Sequence, residues 1–143
     1  QVQSQGLLSG LIEALKKVYV TKNVQLEMNF DSDECFADAR DLQQMWGNLL
    51  DNAFKYCEAR VRVALFRRAG QLILRVEDDG PGIAEAMRDQ VLTRGFRLDT
   101  QAQGQGIGLA VVIEIAARYD GTLTIDRAES FGGASFELAL TVA

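Results

Sequence analysis

Apolar residues recur every three or four positions along three stretches of the chain, which is the spacing of helices that bury one face. These stretches are Leu7–Val20, a longer one from Asp38 to about Tyr56, and Ile107–Tyr119. Asp38 is the kind of residue that precedes a helix, because its carboxylate can accept a hydrogen bond from the backbone of the first turn. The pattern therefore predicts three helices, the middle one capped by Asp38.

Alternating apolar and polar residues predict strands in much of the remaining chain. The predicted strands are Val24–Phe30, Arg60–Phe66, Leu72–Val76, Gly121–Ile125 and Ala134–Val142. Turns are expected around Gly70 and at Gly132 and Gly133. Helices and strands do not alternate regularly along the chain, so we expect an α+β fold in which helices pack on one face of a mixed sheet.

One long segment fits neither pattern. Thr93 to Gly106 is polar, rich in glycine and aperiodic, and it follows a short predicted helix that ends at about Met87. Ordered loops of this length are uncommon, and they often act as lids or binding loops. The segment is therefore a candidate lid.

Size and composition indicate one globular domain. The chain has 143 residues, of which 48% are hydrophobic and 24% charged, and no apolar run approaches the roughly 18 residues that span a bilayer. The net charge of −5 argues against nucleic-acid binding, because nucleic-acid readers usually carry a basic patch. We expect no signal peptide and no disulfide framework from Cys35 and Cys57.

The histidine count narrows the chemistry further. The chain contains no histidine. This excludes histidine acid–base catalysis and Ser-His-Asp triads within these residues, and it removes the usual ligand of most zinc sites.

Three groups of residues could contact a ligand, and the first lies on the long predicted helix. Asn48, Asn52 and Lys55 fall within roughly 60° of one another around the helix axis. They form either an ordinary solvated face or a place where amide oxygens hold Mg²⁺ and a lysine offsets phosphate charge. Asn is a poor helix former, so two of them in mid-helix count against the first interpretation.

The second group is the acidic, glycine-rich segment Glu77–Ile83, which follows a predicted strand. Asp78 could accept a hydrogen bond from an amino group such as that of adenine, and the glycines let the backbone approach a flat ligand. The alternatives are an acidic turn without a ligand and metal binding by the carboxylates.

The third group is Gly104–Ala110, where glycines open a helix. The N–H groups and the dipole at a helix N-terminus suit a phosphate, and Arg94 and Arg97 could reach one from the candidate lid. The glycine spacing fits neither a dinucleotide-binding fingerprint nor a Walker A loop. Together, the three groups offer a metal ligand, a base-reading carboxylate and a phosphate cradle, which indicates a nucleoside triphosphate with Mg²⁺.

Four segments in order resemble the motifs of the catalytic ATP-binding domain of bacterial sensor histidine kinases, within the GHKL superfamily of gyrase, Hsp90, histidine kinase and MutL proteins. Asn48–Tyr56 resembles the N box, Asp78–Ile83 the G1 box, Gly104–Leu109 the G2 box, and Phe131–Phe136 the last glycine-containing motif. The resemblance covers nearly all of 1–143. It implies a single domain with the Bergerat ATP-binding fold, a two-layer sandwich of a mixed, mostly antiparallel sheet with helices on one face. Within the family, the segments Gly47–Cys57, Val76–Ile83 and Arg94–Thr100 are most similar to the magnesium- and peptide-responsive kinases.

The resemblance implies a role for each matching residue. Asn52 and Asn48 would help to hold Mg²⁺, with Lys55 at a phosphate and Tyr56 lining the pocket. Asp78 would accept a hydrogen bond from the adenine amino group. The other implied ATP contacts are Gly80, Gly82, Ile83 and Ser135 around the base, and Arg94, Arg97, Gly104, Gln105, Gly106, Gly108 and Leu109 at the lid and phosphates.

The resemblance also implies a protein-histidine kinase and not an ATPase. Hydrolytic members of the superfamily carry a glutamate general base where Asn48 stands, and an amide cannot take a proton from water. The acceptor would be a histidine on a separate dimerisation domain, with a response regulator as an indirect partner. We therefore expect a monomeric cytoplasmic domain of an inner-membrane sensor that does not phosphorylate itself. The alternatives are an anti-sigma-factor-type serine kinase and an inactive nucleotide-binding or partner-docking module.

Overall fold

A computed structural model of the chain describes residues 2–31, 34–35, 37–82, 105–129 and 131–142. Its helices are α1 (Ser4–Val18), α2 (Ala39–Tyr56) and α3 (Gln105–Ala117), with a short 3₁₀ turn at Val20–Lys22. Its strands are β1 (Val2–Gln3), β2 (Gln25–Phe30), β3 (Glu34–Cys35), β4 (Arg60–Arg68), β5 (Gln71–Asp78), β6 (Thr122–Arg127) and β7 (Ala134–Leu140).

Five of the strands form one sheet in the order β2-β4-β5-β7-β6. β2 runs parallel to β4, and the other neighbours in this sheet are antiparallel. β1 and β3 form a separate antiparallel pair. The sheet is therefore mixed and mostly antiparallel, as predicted.

The core lies between one face of the sheet and the helices. On β4, Val61, Val63 and Leu65 are fully buried, while the residues between them are not. Helix α2 packs against α1, α3 and β5, and it contributes Trp46 and Phe54 to the core. The opposite sheet face carries charged side chains that pair across strands, among them Arg75 with Glu137 and Arg62 with Glu77. The predicted arrangement of helices on one face is confirmed.

The element boundaries differ from the sequence prediction by a few residues. Asp38 does cap α2, since its carboxylate accepts a hydrogen bond from the N–H of Arg40 at 2.8 Å. Strand β5 continues to Asp78, beyond the predicted end at Val76, because pairing with β4 holds Glu77 and Asp78 extended. The predicted short helix ending at Met87 lies outside the described residues, as does the candidate lid before Gln105.

Cys35 and Cys57 are both buried and not joined in a disulfide. No helix among the described residues is long and apolar enough to cross a bilayer.

A hydroxyl group ties the start of α2 to the end of α3. Tyr119 donates a hydrogen bond to Asp41 at 2.6 Å, and its oxygen accepts one from the N–H of Asp38 at 3.2 Å. We expect Tyr119→Phe to lower the free energy of unfolding by about 1–2 kcal/mol, since it removes bonds to a carboxylate and a backbone group.

Urea denaturation measures this effect, and a cycle with Asp41→Ala isolates the pair. If the interaction is real, the double variant loses less than the sum of the single losses. Strict additivity would contradict the assignment.

Candidate functional site

Asp78 is a buried carboxylate at the end of β5, with only 3% of its surface exposed. It lies on the helix-facing side of the sheet, because its register partner is the core residue Val61. Its Oδ1 accepts hydrogen bonds from the N–H groups of Gly80 at 2.8 Å and Ala134 at 3.4 Å. Burial raises the pKa of Asp78, and these bonds offset the rise only in part. An acceptor with few protein partners is therefore held at the edge of the core.

Two glycines let the backbone close around this carboxylate. A Cβ on Gly133 would lie 2.4 Å from Oδ1 of Asp78 and 2.3 Å from its carbonyl oxygen. A Cβ on Gly80 would lie 2.2 Å from the carbonyl oxygen of Tyr56, at the end of α2. Gly82 in turn packs on the backbone of Gly133, with a virtual Cβ 3.4 Å away. The ends of β5 and α2 and the start of β7 thus meet around Asp78.

Asn52 is buried on α2, with 2% of its surface exposed. Its Oδ1 has no hydrogen-bond partner among the described residues. A buried polar atom without a partner is costly, and such an atom calls for an explanation such as a ligand. The solvated-face interpretation is therefore wrong for Asn52, whereas Asn48 and Lys55 are half-buried on the same helix.

An unpaired amide oxygen suits Mg²⁺, which prefers hard oxygen ligands and is usually held by one or two protein groups together with phosphates. Asn52 precedes Tyr56 by one helical turn, so it lies on the side of α2 that meets Gly80. Among the described residues, no group of three or more acidic, cysteine or histidine side chains could hold a metal.

Sequence reasoning missed two residues that fix the end of α2. Nζ of Lys22 donates to the carbonyl oxygens of Phe54 at 2.9 Å and Lys55 at 2.6 Å, so it caps the helix. The carboxylate of Asp79 accepts from the N–H groups of three residues just after α2, Glu58, Ala59 and Arg60. For Asp79, the only signal in the sequence was that it is a second acidic residue next to Asp78. Nothing in the sequence near Lys22 indicated the hydrogen-bond partners of Lys22.

The structure does not bring Ser135 to this site. Ser135 pairs with Glu77 across β5 and β7, so it faces the opposite side of the sheet from Asp78. It lines a surface depression with Arg62, Arg75 and Glu77. The expectation that its hydroxyl lies beside the base is wrong, because neighbouring strand residues face opposite sides. Ala134, whose N–H donates to Asp78, occupies the place next to the carboxylate.

The remaining predicted contacts belong to the glycine-rich helix start and the lid. Gln105, Gly106 and Gly108 form the first turn of α3, which agrees with the prediction that glycines open this helix. Leu109 is buried in the core and anchors that turn. The predicted contacts that lie outside the described residues are Ile83, Arg94, Arg97 and Gly104.

Known proteins are similar to this chain in sequence. The profile of the family described as histidine kinase-, DNA gyrase B-, and HSP90-like ATPase matches residues 37–143. The two-component sensor PhoQ of Pseudomonas aeruginosa is 44% identical over 137 residues, which are 95% of this chain and 30% of that protein. The sensor protein PhoQ of Escherichia coli is 39% identical over 133 residues, 92% of this chain and 27% of that protein. The chain thus spans less than a third of each of these relatives. Both relatives are named PhoQ, the name of the magnesium- and peptide-responsive kinases that segments of this chain resemble.

Solved structures share the fold over nearly the whole chain. The mycobacterial sensor histidine kinase MprB has a TM-score of 0.85 at 26% identity, covering 99% of this chain and 95% of that one. Full-length ShkA in complex with AMPPNP has a TM-score of 0.84 at 26% identity, covering 99% of this chain and 30% of that one. The catalytic domain of the histidine kinase ThkA, 18% identical with a TM-score of 0.83, covers 97% of this chain and 92% of that one and is similar in fold alone.

Proposed function

This chain belongs to the family of histidine kinase-, DNA gyrase B- and HSP90-like ATPases, and from this premise we propose that it binds ATP with Mg²⁺ and transfers the γ-phosphoryl group to a histidine on a separate dimerisation domain. One observation carries the proposal: the Asp78 carboxylate is buried between close-packed glycine backbones. A flat base with an amino group fits such an acceptor, because a carboxylate that accepts two backbone N–H groups can accept a further hydrogen bond from the amino group.

The base subsite is built by backbone as much as by side chains. Gly80 and Ala134 hold Oδ1 of Asp78 in a fixed direction, and a fixed acceptor discriminates between bases. Adenine presents an N–H donor at its amino group, whereas guanine presents a carbonyl oxygen there, which the carboxylate repels. The proposed nucleotide is therefore ATP and not GTP.

The phosphates are assigned to α2 and to the first turn of α3. Asn52, assisted by Asn48, would ligate Mg²⁺, which neutralises charge on the phosphate oxygens when it is bound. Lys55 and Tyr56 follow on the same helix and would line the triphosphate channel. The first-turn N–H groups of α3 suit a phosphate as well. The resemblance adds Ile83, Arg94, Arg97 and Gly104, in the part of the chain that is not described.

The acceptor must be supplied by another domain, since this chain has no histidine. Phosphoryl transfer asks a protein mainly for positioning and charge neutralisation, and those are the tasks that the residues above can perform. The relatives are a two-component sensor and a sensor histidine kinase, which supports a histidine acceptor and, after it, a response regulator. We place the domain, as a monomeric unit, on the cytoplasmic side of an inner-membrane sensor, where ATP is available.

A transfer assay tests the proposal directly. The chain is fused to the histidine-bearing dimerisation domain of a PhoQ relative and incubated with Mg²⁺ and γ-labelled ATP. We expect an acid-labile phosphate on that domain and no label on the chain alone. Asn52→Ala should slow transfer by roughly 100-fold, since the loss of one ligand in a charged site costs about 2–3 kcal/mol. The exposed Asn29→Ala on β2 is the matched control.

The other outcomes separate the alternatives. Acid-stable label on serine of a partner protein would favour a serine kinase. ATP binding without any transfer would leave a nucleotide-binding or docking module. Label on the isolated chain would contradict the requirement for a separate acceptor.

A further inference from the structure

We infer that Asp79 is a positioning residue, whose carboxylate fixes the end of α2 relative to the strand that carries Asp78. This inference rests on the proposed function, because it concerns the spacing between the base subsite and the metal and phosphate residues of α2. Asp79 itself does not contact the nucleotide in this proposal.

The carboxylate of Asp79 accepts hydrogen bonds from backbone donors on both of its oxygens. Its Oδ1 accepts from the N–H groups of Glu58 at 2.8 Å, Ala59 at 3.0 Å and Arg60 at 3.0 Å, and its Oδ2 accepts from Ala59 at 3.2 Å. In return, the N–H of Asp79 donates to the carbonyl oxygen of Arg60 at 3.3 Å. Burial by itself would raise the pKa of Asp79, but these three N–H groups outweigh it and hold the pKa below its usual range. The charged form is therefore the one that the fold stabilises.

The clamped residues are the direct continuation of helix α2. Tyr56 ends the helix and Glu58 begins the turn into β4. On the far side of the clamp, Gly80 approaches the carbonyl oxygen of Tyr56 so closely that a Cβ would clash with it. Asp78 and Asp79 are adjacent in the chain yet do different things, since one carboxylate faces the proposed base and the other holds the helix end. The peptide bond between Asp78 and Asp79 thus connects the proposed base subsite to the residue that holds the end of α2.

This arrangement predicts a difference between ligands. Mg-ATP engages both the base subsite and α2, so its affinity depends on their fixed spacing. Adenosine engages the base subsite alone. Preorganisation of two subsites raises the affinity only of the ligand that spans them.

The test compares these two ligands on matched variants. Calorimetry or NMR titration measures the affinity of Asp79→Ala, Asp79→Asn and the control Asp31→Ala, whose aspartate is exposed. We expect Asp79→Ala to weaken Mg-ATP binding at least ~10-fold and adenosine binding at most ~3-fold. Asp79→Asn keeps an acceptor oxygen and should restore Mg-ATP affinity to within about threefold of the wild type. The control should match the wild type for both ligands.

A merely structural role gives a different result, because partial unfolding weakens every ligand by the same factor. Equal losses for Mg-ATP and adenosine, or no loss for either, would overturn the inference. Hydrogen exchange of the amides of Glu58, Ala59 and Arg60 tests the clamp without any ligand. These amides should exchange faster in Asp79→Ala and at the wild-type rate in Asp79→Asn.

Unchanged exchange in Asp79→Ala would overturn the clamp even where the affinities had changed. A wild-type chain that binds neither ligand would instead overturn the proposed function and with it the coupling of subsites. The two failures are therefore distinguishable.

Discussion

Replacing Asp78 by Asn is expected to weaken ATP binding by about 10- to 100-fold and, at the same time, to make the fold more stable at neutral pH. The affinity falls because an accepting carboxylate oxygen becomes an amide group, and a hydrogen bond to a charged group contributes about 1.5–3 kcal/mol. The preference for ATP over GTP should shrink as well, since an amide N–H can donate to the guanine carbonyl. Calorimetric titration with both nucleotides measures these changes.

The gain in stability follows from burial of the charge. Burial raises the pKa of Asp78, so the folded chain holds this proton more tightly than the unfolded chain does. The contribution of Asp78 to the free energy of unfolding is therefore highest at low pH, where Asp78 is protonated, and it falls as the pH rises through the raised pKa. Asp78→Asn avoids this loss. Its advantage in unfolding free energy should be present at pH 7 and fade below about pH 4, the usual pKa of aspartate.

The two effects of Asp78→Asn distinguish a functional charge from a structural one. If the Asp78 carboxylate stabilised the fold, its replacement would lower the free energy of unfolding at pH 7 and at every higher pH. Exposed Asp31→Asn is the control and should change neither property. A destabilised Asp78→Asn with unchanged ATP affinity would contradict the assignment of this residue to the base.

Gly133→Ala is expected to lower the free energy of unfolding by about 2–4 kcal/mol, because forced overpacking costs 1–3 kcal/mol and the atoms here are rigid. The new methyl group would lie 2.3 Å from the carbonyl oxygen of Asp78, 2.4 Å from its Oδ1 and 2.7 Å from the nitrogen of Gly80. Two of these three atoms are backbone, so no side-chain rotation relieves the clash. Urea denaturation gives the unfolding free energy, and ATP titration of the folded fraction should show a loss, since Asp78 must move.

Gly10→Ala provides the matched control on helix α1. Nothing lies within 4 Å of a Cβ at that position, and alanine is the better helix former by up to about 1 kcal/mol. The control should therefore be slightly more stable than the wild type. Equal stability of the two variants would show that the backbone around Asp78 is looser than the structure has it.

Local sequence patterns determined the elements and the order of the candidate motifs. Hydrophobic spacing predicted helix α2 closely, and the capping role of Asp38 followed from its side chain alone. The turn between β4 and β5 was likewise predicted from the local sequence around Gly70. In the structure, Ala69 and Gly70 both have positive φ, at 52° and 81°. These features are encoded within a few neighbouring residues, so no long-range contact is needed to predict them.

Only the tertiary structure decided which residues of those motifs work together. The sequence placed Asn48 and Asn52 on one helix face, and the structure shows that Asn52 is buried with an unpartnered oxygen whereas Asn48 is half-buried. Ser135 matched a motif, but the register of β7 turned it to the other face.

The acidic pair at the end of β5 shows the same division. The sequence placed two aspartates side by side, and packing gave Asp78 a place in the core and Asp79 three backbone donors some twenty positions earlier in the chain. Burial, hydrogen-bond partners and pKa depend on which distant segments pack together. A residue's neighbours in sequence do not specify them, because the packing is set by the folding of the whole sheet and its helices.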